Sequence, residues 1–308
     1  MSAEMLQAVL LTIMTAATPL LLAALGELVV ERAGVLNLGV EGMMIIGAVA
    51  GFAAAQMTGN AWAGVGFAIM CGALFSLLFA FLTVTLATNQ VATGLSLTLL
   101  GLGIAGMAGE GFIGVPGVRL EAVSIPVLSD LPLIGDILFG QDPIFYISIA
   151  LVVLLRWLIF STRAGLTLRS VGDNHVSAHA LGINVARVRY LAIMFGGACA
   201  GLAGAHLSLV YTPQWTETMT AGRGWIALAL VVFASWLPGR VMLGAYLFGG
   251  VTILQFHAQA QGVAIPSQFL SALPYIATVV VLVLISSNRR MTMKNTPAML
   301  GRPFVPDR

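Results

Sequence analysis

Charge is what this sequence has least of. Only 8% of its 308 residues are charged and 59% are hydrophobic, whereas a soluble domain carries about 25% charged residues. Residues 42–109 and 241–288 contain no Asp, Glu, Lys or Arg at all. A membrane-crossing helix needs about 20 apolar residues, so these runs hold about three and about two spans and exclude a soluble fold. The alternating pattern of barrel strands is absent. Cysteine is scarce as well: Cys71 and Cys199 both fall in apolar segments and read as small packing residues, not a disulfide or metal pair. Lys294 is the sole lysine and follows Met293, so there is no Gly-Lys-Ser/Thr phosphate loop. There is also no His-Glu-x-x-His pair and no Gly-x-Ser-x-Gly elbow. These absences argue against an enzyme and against ATP hydrolysis by this chain. His175 and His179 are spaced i, i+4 but have no third ligand in view, so they read as a polar helix face and no metal is expected.

What is present is a series of nine apolar segments, at 5–25, 37–57, 62–87, 90–108, 143–160, 190–211, 224–237, 241–258 and 268–286. The expected fold is an all-α polytopic membrane protein of about 8–10 transmembrane helices, with residues 1–308 as one domain. The first segment lacks a basic n-region and reads as a span, not a cleaved signal. The segment at 224–237 is short for a span, which predicts a broken or tilted helix.

The few charges are sorted by sign. Arg156, Arg163, Arg169, Arg187 and Arg189 stand against Asp173 alone, and Arg289, Arg290, Lys294, Arg302 and Arg308 against Asp307. The loop 109–142 is the opposite, with Glu110, Glu121, Asp130, Asp136 and Asp142 against Arg119. Basic loops remain cytoplasmic. The segment 161–189 and the tail 287–308 are therefore expected in the cytoplasm, 109–142 outside, and, counting backwards, the N-terminus outside. Trp62, Tyr146, Trp157, Tyr190, Tyr211, Trp225 and Trp236 fall near proposed span ends, as an interfacial belt would. Arg156 lies about one turn inside a span end and can snorkel to the headgroups.

The 35 glycines are spread through the spans. Gly197-xxx-Gly201, Ala200-xxx-Gly204 and Gly47-xxx-Gly51 each put small residues on one helix face, which lets helices approach closely in lipid. Among the polar residues, Glu41 is expected within the first turns of an apolar helix. A carboxylate there faces protein or water and is favoured by the helix dipole. Asn89 and Gln90 sit between two spans, as a polar turn or as amides beside a solute path. Asn37, Glu41, Asn89 and Gln90 are the candidate pathway residues. In the basic segment, Asp173 or Asn174 can cap a helix that Gly182 terminates, and Asn184 can cap the next. A short surface helix held between two spans suits docking.

Four blocks together resemble a known family. They are Arg-Ala-Gly-Val-Leu-Asn-Leu-Gly-Val-Glu-Gly-Met-Met at 32–44, Asn89-Gln90-Val91 with Gly94-Leu95, Val171-Gly172-Asp173-Asn174 through Ala180-Leu181-Gly182-Ile183-Asn184, and Gly222-Arg223-Gly224-Trp225-Ile226-Ala227-Leu228-Ala229-Leu230 with Leu247-Phe248-Gly249. They are similar to ABC-transporter permeases of the branched-chain amino acid, ribose and nucleoside class, most of all to the nucleoside (simple-sugar-type) permeases. The resemblance implies a type II-like ABC importer permease bundle in the bacterial cytoplasmic (inner) membrane. It implies a small polar solute, most similar to a nucleoside, with sugars and branched-chain amino acids as alternatives. It also implies partners: a second homologous permease, a cytoplasmic ATP-binding-cassette ATPase and an extracytoplasmic substrate-binding lipoprotein, besides membrane lipid and no nucleic acid. ATP and Mg would be bound by the ATPase, with no cofactor in this chain. Gly172, Asp173, Asn174, Ser177, Ala178, Leu181 and Gly182 would form the ATPase coupling segment. Val176-Ser177-Ala178 stands where relatives often have Glu-Ala-Ala, and His175 where proline is common. The competing reading is an ion-coupled secondary transporter, which needs titratable or ion-binding groups near the midplane; the two long runs hold no charge, and Glu41, just before the first of them, is the one charged candidate.

Overall fold

A computed structural model describes residues 3–123, 139–260, a discontinuous set between 266 and 283, and 295–305. Ten helices are labelled here: α1 (Ala3–Arg32), α2 (Val40–Thr58), α3 (Ala61–Ala80), α4 (Gln90–Gly109), α5 (Pro143–Ser161), α6 (Arg163–Asp173), α7 (His175–Ala180), α8 (Val185–His206), α9 (Arg223–Phe233) and α10 (Pro238–Ala260). Single π-helical turns extend α3 through Thr85 and α8 through Tyr211. Among the described residues the only β structure is two isolated bridges, Ile113 with Trp215 and Pro116 with Gln214.

Seven of these helices are long and apolar enough to cross a membrane, and they match the first six predicted segments and the eighth. The predicted segment 268–286 lies mostly outside the described residues, as do 124–138 of the acidic loop and 287–294 and 306–308 of the basic tail. Local chemistry explains the helix starts. Asn60, Asn89, Thr162, Asn174 and Asn184 each accept a backbone N–H in the first turn that follows, and Asp142 accepts two, ahead of Pro143. These side chains satisfy amides that a helix start otherwise leaves bare.

α2 and α8 form the buried centre, while α3, α4, α5 and α10 present most of their apolar residues outward. The centre is held by backbone-to-backbone approach. A Cβ added to Gly47 would overlap Gly201, one on Gly72 would overlap the Gly197 carbonyl, and one on Gly204 would overlap the Met44 carbonyl. The predicted glycine faces are thus the α2–α3–α8 seam. Cys199 packs against Gly26 in the same layer.

Two departures from regular spans matter most. α1 continues past the predicted end at 25, carrying Glu27, Glu31 and Arg32 into the interior; those charges find protein partners, so they do not end the helix. α9 has 11 residues, about 16 Å of helix, which is half the hydrocarbon thickness. The chain reaches its start through 212–222, where Trp215 packs against Gly109 and the Pro213 carbonyl accepts from Gly117 N–H at 3.0 Å.

Candidate functional site

The linker 33–39 climbs inside the bundle instead of running over its surface. At its foot Gly34 meets Gly172 of α6. Leu36 N–H then donates to Gln90 Oε1 at 2.8 Å, and the Leu38 carbonyl accepts from Thr98 Oγ1 at 3.0 Å. Gln90 and Thr98 are eight residues apart on α4, a climb of about 12 Å. α2 therefore begins about two turns inside the bundle, and Glu41 in its first turn is 3% exposed.

α9 begins at the same place. Gly222 N–H donates to Glu41 Oε1 at 2.8 Å, and Gly224 N–H to Glu41 Oε2 at 2.6 Å. One carboxylate thus satisfies orphan amides at a helix start, where the dipole also favours negative charge. The approach needs glycine: a side chain at Gly224 would press on the Glu41 backbone, and Gly222 has φ 80°.

The far end of α9 is tied to α1. Ser235 and Trp236 adopt φ 50° and 54°, an uncommon conformation for such residues. This turn aims Trp236 Nε1–H at Glu31 Oε2, 2.6 Å away, while Arg32 Nη2 donates to the Trp236 carbonyl at 2.9 Å. One helical turn back, Glu27 Oε1 accepts from Asn37 Nδ2 at 2.8 Å, and Asn37 Oδ1 accepts from Gly39 N–H. The broken helices are therefore joined by a buried polar knot.

Beside the knot, Leu36, Leu38, Leu95, Trp225, Leu228 and Val232 line a shallow cavity of about 470 Å³ with Glu31 in its wall. Glu31 Oε1 and Gln90 Nε2 are buried without a hydrogen-bond partner. The cavity is walled by an indole and aliphatic side chains, and Glu31 reaches it with almost none of its surface.

The comparisons with known proteins agree with this architecture. The family model "Branched-chain amino acid transport system / permease component" matches residues 9–286. The chain belongs to that permease family. The permease is 42% identical to TsgC13 of Haloferax volcanii, provisionally named a glucose ABC transporter permease protein, over 87% of this chain and 88% of that one. It is 34% identical to the nucleoside ABC transporter permease protein NupC of Lactococcus lactis, over 91% and 92%. It is also 34% identical to the guanosine ABC transporter permease protein NupQ of Bacillus subtilis, over 86% and 88%. In fold the permease is similar to an inward-facing ABC transporter provisionally described as of metal-chelate type, with TM-score 0.52 at 16% identity over 90% of this chain and 85% of that one. The protein is thus a multi-pass membrane permease of the ABC class, a transport subunit and not a catalytic one.

Of the candidate pathway residues in this permease, Asn37, Glu41 and Gln90 are buried and converge on the linker, whereas Asn89 is exposed and caps α4 through Ala92 N–H. Glu31 and Trp225 were not singled out as pathway residues from the sequence. The Glu27–Glu31 pair at i, i+4 inside an apolar run was the available signal.

In the basic segment, Asn174 caps α7 through Ser177 N–H at 3.0 Å. Gly182, at φ 85°, closes it: its N–H donates to the His179 carbonyl and Ile183 N–H to the Ala178 carbonyl, the pairing of a Schellman motif. Asp173, Asn174, Ser177, Leu181 and Gly182 are exposed, while Gly172 and Ala178 face protein. Residues 295–305 lie across this segment. Met299 N–H donates to the Gly172 carbonyl and Gly301 N–H to the Gly34 carbonyl, and Phe304 stands edge-on to His175 and His179. Buried Arg189 ties the pieces together, donating to the Ala33 and Arg302 carbonyls and lying 3.2 Å from His175 Nδ1. Burial first, then the Arg189 and Arg302 guanidiniums, holds the His175 imidazole below its ordinary value.

Proposed function

We propose that this permease forms half of the membrane channel of an ABC importer for nucleosides in the bacterial cytoplasmic membrane. A second, homologous permease faces the α4–α9 cavity and completes the pathway. A separate ATPase binds ATP and Mg and docks on the exposed face of α7, where Val176 and Leu181 are 59% and 83% exposed. A binding lipoprotein delivers solute at the acidic end. Gly172, Asp173, Asn174, Ser177, Ala178, Leu181 and Gly182 form the coupling segment, and Asn37, Glu41, Asn89 and Gln90 hold or border the pathway with Glu31. The basic end is cytoplasmic.

The observation that carries this reading is the similarity to two permeases named for nucleoside and guanosine transport along nearly their whole length. It is supported by a cavity walled by Trp225 and Glu31. The higher identity to TsgC13 keeps a sugar as the second reading. The test is uptake of labelled guanosine and glucose by cells carrying the complete transporter, with and without its ATPase. Guanosine uptake that disappears without the ATPase supports the proposal. Glucose uptake alone would move the substrate to sugars. Uptake that persists without the ATPase and follows a proton gradient would make the protein a secondary transporter.

A further inference from the structure

A second cavity, of about 880 Å³, opens between the end of α5 and the start of α10 and does not belong to the pathway. Its walls repeat one order. On α5, Arg156 lies five residues from the helix end at Ser161, with Val153 three residues deeper. On α10, which starts at Pro238, Arg240 lies in the first turn, with Leu243 three residues deeper. All four residues line the cavity. Three residues are about one helical turn, or about 4.5 Å, so both walls place a guanidinium near the membrane surface and an aliphatic side chain one turn further in. Val153 and Leu243 are strongly exposed on the bilayer side. Trp157 and Phe160 complete the rim, and the lining residues include no carboxylate. The Phe160 ring also carries the Arg32 and Arg169 guanidiniums, 5.7 and 5.5 Å from its centroid, and Asp173 lies near Arg32.

We infer that this groove is a binding site for an anionic phospholipid of the leaflet at the basic end, with its phosphate between Arg156 and Arg240 and an acyl chain along Val153 and Leu243. Guanidinium groups suit phosphate because they donate two parallel hydrogen bonds to it. A free phosphate would use the arginines but leave the aliphatic walls without a role. Basic pockets between helices at the cytoplasmic surface hold lipid headgroups by the same physics. The inference is independent of which solute the protein carries.

The experiment is native mass spectrometry of the full-length protein, delipidated in mild detergent and titrated with phosphatidylglycerol or phosphatidylcholine. The wild type is expected to bind one phosphatidylglycerol more tightly than phosphatidylcholine. Each basic residue near the surface strengthens anionic-lipid binding about fivefold, so R156Q/R240Q should weaken phosphatidylglycerol binding about thirtyfold. R156K/R240K should keep most of the preference, and R187Q, on an exposed residue of α8, should change nothing. If the double glutamine variant fails to fold, R240Q alone should show the fivefold loss. Equal binding of the two lipids by the wild type, or a preference that survives both glutamine substitutions, would overturn the assignment. So would displacement of the lipid by millimolar inorganic phosphate, which would make the groove a simple anion site.

Discussion

The α2–α3–α8 seam and the knot around Glu41 lie side by side in one bundle and are held by opposite means. The seam is apolar contact between glycine backbones: Gly47 on Gly201, Gly72 on Gly197, Gly204 on Met44. It gains mainly dispersion, which close approach maximises, with one buried hydrogen bond from Ser208 Oγ to the Ala48 carbonyl at 2.9 Å, and its geometry has little slack. The knot is polar and discontinuous. Two helices start inside the bundle, and Glu41 in the first turn of one, α2, satisfies the first amides of the other, α9. A seam of this kind suits a fixed frame, whereas hydrogen bonds between broken helices can be exchanged for others when a pathway changes shape. The comparison teaches that charge scarcity in this chain is selective: the few carboxylates in the interior sit where helices are interrupted.

The largest effect should come from the seam. Gly204→Ala places a Cβ into the Met44 carbonyl and beside Ala48 N, an overlap that costs about 3 kcal/mol. Thermal unfolding should show the loss, while Gly103→Ala, which meets nothing within 4 Å, should leave the midpoint unchanged. Equal effects at both positions would break the contrast. In the knot, Trp236→Phe removes the indole N–H that donates to Glu31 Oε2 and leaves a buried carboxylate oxygen bare, at a cost of about 2 kcal/mol. Hydrogen exchange should rise in α9 and at the end of α1 but not in α8. Uniform acceleration would show that seam and knot act as one unit.

How much of this was legible depended on distance along the chain. The caps Asn174 and Asn184 and the stop at Gly182 act within four residues, so their chemistry is local and readable; Asn89, read as a polar turn or a pathway amide, caps α4 in the same way. The glycine faces were readable because a helix repeats every few residues. The continuation of α1 was not, because Glu31 is stabilised by Trp236, 205 residues away; hydropathy registers the charge and not its partner. The extended approach to α9 and the tail across α6 and α7 rest on backbone groups such as Met299 N–H and the Gly172 carbonyl, which leave no residue signature. The same reasoning explains the pathway residues: Glu41 stood out as a carboxylate leading into an apolar stretch, whereas Glu31 lies beyond the predicted end of the first span at 25.

Smaller effects sharpen the comparison at the basic end. Gly182→Val forces a β-branched residue to φ 85°, costing about 1–2 kcal/mol, and should lower solute-stimulated ATPase activity while solute binding to the lipoprotein is unchanged. Unaltered stimulation would remove α7 from the coupling role. The smallest effect should be on pH. Because His175 is held below its ordinary value of 6.5, its native environment favours the neutral ring. Its contribution is fully present above that value and declines as pH falls toward the lower folded value. Protease cleavage near 295–305 should therefore increase on mild acidification in the wild type and respond less in His175→Gln. Cleavage that decreases on acidification would reverse the sign of the argument.

The central claim is that the Glu41 clamp on α9 belongs to the transport machinery of an ATP-driven permease. The most direct measurement is ATP-dependent guanosine uptake by right-side-out proteoliposomes that hold the complete transporter and enclose ATP, comparing wild type with Glu41→Gln at equal protein content. The glutamine keeps the shape but gives up one acceptor to an amide that cannot receive the Gly222 or Gly224 N–H, so uptake should fall about tenfold or more while the protein remains folded. Undiminished uptake in Glu41→Gln, or wild-type uptake that proceeds without ATP, would contradict the account.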